Sequence, residues 1–222
     1  MELSSFVIWL NTALANFDEA GAIFVHNLFY PWNSVSQPLL EFVSFLGHDG
    51  IPLIIFSFIL ILFRKTRRIG TPMLLGLGVG AVITNLVLKI LIARPRPYTF
   101  DGSIYYQYWQ MMGSHLESDK SFPSGHVTAA FDSMVPVILV GKKKIRWLVL
   151  IFCFLMCFSR IYLSVHYTTD VIAGIFVGTL SGILGTLIAV NMPDGHYDAD
   201  IRELARRGEK NEIAKEGKHV RK

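Results

Sequence analysis

Long apolar stretches, broken by short polar clusters, dominate the first 190 residues of the chain. Apolar runs at 71–92, 124–140, 145–163 and 171–190 approach or reach the about 20 residues that a helix needs to cross the hydrocarbon core. A fifth run at 51–63 is short; it spans when its helix starts near Phe42 and carries Gly47, His48 and Asp49 to one interface. The pattern predicts an all-α, polytopic transmembrane helix bundle. Residues 3–33 are less regular. Asp18 and Glu19 interrupt the run and Pro31-Trp32 ends it, and a carboxylate at the bilayer centre is costly. This stretch is expected to lie in the interface as an amphipathic helix anchored by Trp9 and Trp32, which makes five spans. A sixth span is the alternative.

Composition sharpens this picture. The 222 residues carry 21 Lys and Arg and 17 Asp and Glu, and 15 of these charges fall within 191–222. The remaining 23 over 190 positions are far fewer than in a soluble domain. Three regions follow: an N-terminal segment at 1–41, a transmembrane catalytic domain at 42–190 and a charged tail at 191–222. The net charge of +4 does not indicate nucleic acid, because the basic residues sit at the ends of apolar runs. Arg64 to Arg68, Lys142 to Arg146 and the tail follow alternate crossings, so the positive-inside rule puts all three, including the C-terminus, in the cytoplasm. No removable signal peptide is expected at the N-terminus. Cys153 and Cys157, one turn apart, are expected to be packing residues without a disulfide. Gly76, Gly78 and Gly80, with Gly174, Gly178 and Gly182, read as close helix packing and not as a nucleotide loop.

The opposite helix ends face outward and bring three polar segments to one membrane face. The first runs from Lys89 to Pro97. Arg94 reads as a helix-end anchor, whereas Lys89 and Arg96 place positive charge on the outer side, against the usual bias. A guanidinium held by Pro95 and Pro97 suits a phosphate. In the second, Ser124 can cap a helix whose first amides form an anion site, with Gly125 and His126 in the first turn. In the third, His166 and Asp170 are four residues apart, a spacing at which a carboxylate can orient an imidazole, and Arg160 adds a cation. Together they give a phosphate cage with a nucleophile and an acid. Metal ligation needs more clustered carboxylates or histidines, so neither a metal nor another cofactor is expected. Asp132, two turns into its helix, is expected to be paired. The aromatic loop at 98–120 reads as an interfacial belt.

These segments resemble the signature of the type 2 phosphatidic acid phosphatase family, which shares its motif with vanadium haloperoxidases. The pattern KxxxxxxRP, PSGH, SRxxxxxHxxxD is met by Lys89 and Arg96-Pro97, by Pro123 to His126, and by Ser159-Arg160, His166 and Asp170. The resemblance implies a shared helical core over about 42–190. It also implies a phosphohistidine on His166 oriented by Asp170, with His126 as proton donor. Lys89, Arg96, Ser124, the Gly125 amide and Arg160 would hold the phosphoryl oxygens. The implied activity is a metal-independent lipid phosphatase in a bacterial plasma membrane, with its site facing outward. Candidate substrates are undecaprenyl diphosphate, phosphatidylglycerol phosphate, phosphatidic acid and diacylglycerol diphosphate; the first is disfavoured because members devoted to it often carry Asp where Gly125 stands. Thr168 departs from the proline common in relatives. A membrane transporter or anion-binding protein is the competing class, although neither would need the two histidines.

Overall fold

A computed structural model describes residues 4–192; the charged tail expected to be cytoplasmic lies outside the described residues. All regular elements there are helical. The N-terminal part comprises α1 (Ser5–Ala13), α2 (Ala15–Phe29) and α3 (Asn33–Leu46), and α4 (Ile51–Leu62) follows after a short turn. The chain then runs through α5 (Arg67–Ala81), a π-helical stretch (Val82–Leu88) and the short α6 (Lys89–Ile92). Next come α7 (Ile104–Met111), α8 (Gly125–Val140), α9 (Arg146–Tyr162) and α10 (Thr168–Val190).

Three stretches are long and apolar enough to cross a membrane, namely Arg67–Thr99, Lys143–Tyr162 and Thr168–Val190. Ala15–Leu46 with His48–Leu62 forms a further pair bent by 43°, and Gly125–Val140 is apolar but shorter. Large apolar side chains such as Phe58, Leu91, Phe154 and Phe176 remain exposed on the outside of the bundle, as lipid contact requires. The protein is an integral membrane helix bundle.

Helices α5, α8 and α10 form the centre, and glycine sets their spacing. A Cβ at Gly185 would stand 2.3 Å from the Gly76 backbone nitrogen, and one at Gly178 would stand 2.6 Å from the Thr128 carbonyl. Neither could be accommodated without separating the helices. Cys153 and Cys157 are buried and unbridged.

The N-terminal helices do not simply rest on this bundle. Val7, Leu10, Ala22 and Val25 are buried, and so is Asp18, at 1% exposure. Its partner is Arg94, the residue expected to be a surface anchor, which is fully buried. Arg94 Nη2 donates to Asp18 Oδ2 at 2.9 Å, Nη1 to Asp170 Oδ1 at 2.6 Å, and Nε to Asn11 Oδ1 at 2.8 Å. Asp18 also caps α10 by accepting from the Thr169 amide at 2.7 Å. The Thr168 hydroxyl, where relatives often carry proline, donates to the Asp18 carbonyl at 3.2 Å. The carboxylate that argued for an interfacial helix is therefore paired inside the protein. Arg94 can turn inward because Ala93 ends α6 in the left-handed region, at φ 51°, before Pro95 fixes the chain beyond.

Removing one member of a buried ion pair leaves an uncompensated charge, at a cost of about 3–5 kcal/mol. Arg94→Leu should lower the thermal unfolding midpoint of the detergent-solubilised protein sharply and expose α1 and α2 to protease. An unchanged midpoint would show that the ion chain is not a main support.

Candidate active site

The alternation of helix directions brings the C-terminal end of α6, the N-terminal end of α8, the C-terminal end of α9 and the N-terminal end of α10 to one end of the bundle. One cavity there is lined by Lys89, Arg96, Gly125, His126 and His166, together with Glu117 and Asp119. The three expected segments thus converge, and Arg160 reaches the same place by pairing with Glu117.

His166 lies in the loop between α9 and α10 and is 1% exposed. Its Nε2 is 3.1 Å from Arg96 Nη1. A guanidinium can only donate, so Nε2 must be the unprotonated nitrogen and Nδ1 carries the proton. On the Nδ1 side stand Ser121 Oγ at 3.5 Å and Asp170 Oδ2 at 3.7 Å. Asp170 makes closer bonds elsewhere: Oδ2 accepts from the Ser121 hydroxyl and from the Tyr167 amide, and Oδ1 accepts from Arg94. The expected pairing is therefore a looser contact. The carboxylate is positioned first by Arg94, whose guanidinium carbon also lies 3.7 Å from the centre of the Tyr167 ring.

Arg96 is held by the Val165 carbonyl at 2.8 Å and the Asp119 carbonyl at 3.1 Å. Ser124 occupies the N-cap position of α8 but makes no capping bond, and its buried hydroxyl has no hydrogen-bond partner. A Cβ at Gly125 would come within 3.2 Å of Lys89 Nζ, so glycine keeps the ammonium close to the helix end. His126 is buried in the first turn of α8. Asp132 also lines the cavity, and its Oδ1 has no hydrogen-bond partner. The aromatic loop packs inward more than a belt would. Tyr98 stacks on Trp109 at 4.8 Å and Tyr108 on His26 at 3.8 Å. Glu117 and Asp119, at the end of this loop, are the site residues that the sequence reading passed over. Their only signal there was acidity beside a basic cluster.

These features make a cation-lined cavity at one end of a membrane helix bundle, with a buried histidine beside an arginine. The family model of the PAP2 superfamily matches residues 69–192, and the chain belongs to that superfamily. The expectation of a PAP2-type phosphatase stands with it. The undecaprenyl-diphosphatase of Sulfolobus acidocaldarius is 29% identical over 155 residues, covering 70% of this chain and 71% of that protein. Phosphatidylglycerophosphatase B of Bacillus subtilis is 32% identical over 163 residues, covering 66% and 73%. The fold is similar to the crystal structure of the first transmembrane PAP2 type phosphatidylglycerolphosphate phosphatase from Bacillus subtilis. That likeness has a TM-score of 0.62 at 27% identity and covers 86% of this chain and 95% of the other.

Burial, and then the positive fields of Arg96, Arg160 and Lys89, hold the His166 imidazole well below its ordinary value of 6.5. The charged form is the one disfavoured, so the ring stays neutral through the neutral range and gains a proton only in acid. NMR titration of the histidine rings in the solubilised protein, with His166→Gln assigning the signal, should give a midpoint below 6.5. A midpoint above it would contradict this electrostatic picture.

Proposed function

We propose that the protein hydrolyses a phosphomonoester or diphosphate of a membrane lipid through a phosphohistidine. The observation that carries this reading is the Arg96–His166 contact of 3.1 Å inside a cavity that also holds Lys89 and His126. It leaves a neutral imidazole nitrogen facing a cationic cage. Nε2 of His166 attacks phosphorus, the bond to the leaving oxygen breaks, and His126 supplies that oxygen with a proton. Water then gives a proton to His126 and attacks phosphorus, the N–P bond breaks, and phosphate leaves. Asp170 stabilises the imidazolium formed at His166. Lys89, Arg96, Arg160, the Ser124 hydroxyl and the Gly125 amide hold the phosphoryl oxygens, where fixed positive donors help most as charge spreads in the transition state. No step requires a metal ion.

The basic clusters support an outward-facing site and a cytoplasmic C-terminus. Arg64 to Arg68 and Lys142 to Arg146 lie at the far ends of α5, α8 and α9 from the cavity, and such clusters collect in the cytoplasm. A site at one bundle end suits a lipid whose head is polar and whose tail stays in the bilayer. The named activities of the relatives support a polyprenyl diphosphate or phosphatidylglycerophosphate as the substrate class. Gly125 favours the second.

The purified protein should release phosphate from such lipids in excess chelator; a strict requirement for Mg²⁺ would overturn the metal-free route. Reactions with ³²P-labelled lipid, quenched in alkaline detergent, should trap an acid-labile label on the wild type and none on His166→Ala, which should also lose turnover. Lys89→Met should lower kcat by about 10²–10³, as for the loss of one preorganised donor.

A further inference from the structure

The cationic cage already holds two anions, and both belong to the protein. Asp119 bridges the two cations beside the His166 imidazole: Oδ1 accepts from Arg96 Nη2 and Oδ2 from Lys89 Nζ. Glu117 Oε1 accepts from Arg160 Nη2, and its Oε2 is 3.9 Å from Arg96 Nη2. Burial pushes the Asp119 carboxyl up, but Lys89 and Arg96 outweigh it and hold the group below its ordinary value, so it is present as the anion. Its oxygens face the two cations that would grip a phosphoryl group next to Arg96 Nη1 and His166 Nε2.

The two acids are mounted differently. The Tyr98 hydroxyl stakes the backbone of Glu117, donating to its carbonyl at 3.3 Å and accepting from its amide at 3.2 Å. Asp119 is 43% exposed at its side chain, against 19% for Glu117. Asp119 can therefore swing into water, while Glu117 stays near the cage.

We propose that Asp119, assisted by Glu117, is a specificity-determining residue: an internal anion that an incoming phosphoryl group must displace, and that admits dianions while rejecting phosphodiesters. This rests on the phosphatase reading above and adds the basis of its selectivity. The three cations are nearly buried, with side-chain exposures of 10% for Lys89, 5% for Arg96 and 2% for Arg160. Each needs a counter-charge in that setting. A phosphomonoester or terminal diphosphate brings close to two charges and three acceptor oxygens, enough to replace the carboxylate contacts. A phosphodiester has one charge and two free oxygens, so displacing Asp119 with it leaves a cation under-satisfied. A bilayer consists mainly of phosphodiester headgroups, so a cage without its own anions would be filled by them.

The test compares dissociation constants for inorganic phosphate and dimethyl phosphate, measured by calorimetry on the solubilised full chain. Wild type should prefer inorganic phosphate strongly. In Asp119→Asn that preference should narrow by about tenfold, the scale of one close charge pair, mostly through tighter binding of dimethyl phosphate. Glu117→Gln should narrow it less, and Asp119→Glu should restore it. In turnover assays, phosphatidylglycerol in mixed micelles should become an inhibitor of Asp119→Asn and raise KM while leaving kcat of that variant unaffected by the added lipid. An unchanged preference in both variants, or an equal loss of affinity for both ligands, would overturn the proposal. Because binding needs no turnover, a narrowed preference in a protein that hydrolyses no lipid phosphate would sustain the internal anion and overturn the phosphatase reading instead.

Discussion

Arg94 holds the protein together at the point where its chemistry is proposed to occur. It is buried between two carboxylates, Asp18 from the N-terminal helices and Asp170 from the last span. A guanidinium in such a place is unfavourable unless its donors are taken up, and here Asn11, Asp18, Thr169 and Asp170 take them up. Arg94 ties α2 to the start of α10 and, with Ser121 and the Tyr167 amide, orients the Asp170 carboxylate. The bundle is closed by electrostatics at its polar end and by small residues along its apolar length.

The cage beside it follows the opposite logic. Lys89, Arg96 and Arg160 crowd around a buried imidazole that they discourage from taking a proton. This keeps Nε2 unprotonated, with Arg96 donating to it, and the same charge would attract a phosphoryl group. The conflict among like charges is relieved by Glu117 and Asp119 in the resting protein. Nucleophile, cations and counter-anions therefore form one balanced set, in which changing any member alters the others.

The sequence made the cage legible because motif spacing and helix periodicity report on residues within one turn or at one helix end. Lys89, Arg96, Gly125, His126 and His166 meet in the cavity as that reading requires. It was less informative about partners far apart in the chain. Asp18 looked expensive and Arg94 looked peripheral because each was weighed alone, and neither spacing nor hydropathy indicates that two such residues meet. Ser124 fits the N-cap preference, yet its hydroxyl makes no cap bond. Glu117 and Asp119 lie in a loop whose aromatic content drew attention, and a loop's reach into a cavity depends on anchors such as Tyr98 that leave no periodic trace.

The same ion chain bears on how the protein is made. Asp18 and Asp170 each lie 76 residues from Arg94, one before it and one after, so the three leave the ribosome one at a time. Each is costly to place in lipid by itself. Asp18 and Arg94 can pair with each other, but the set is complete only with the carboxylate of the last helix. A chain without its last helix lacks Asp170, the carboxylate neighbouring His166, and the ion chain is incomplete. Completion of the proposed site is thus tied to insertion of the last helix.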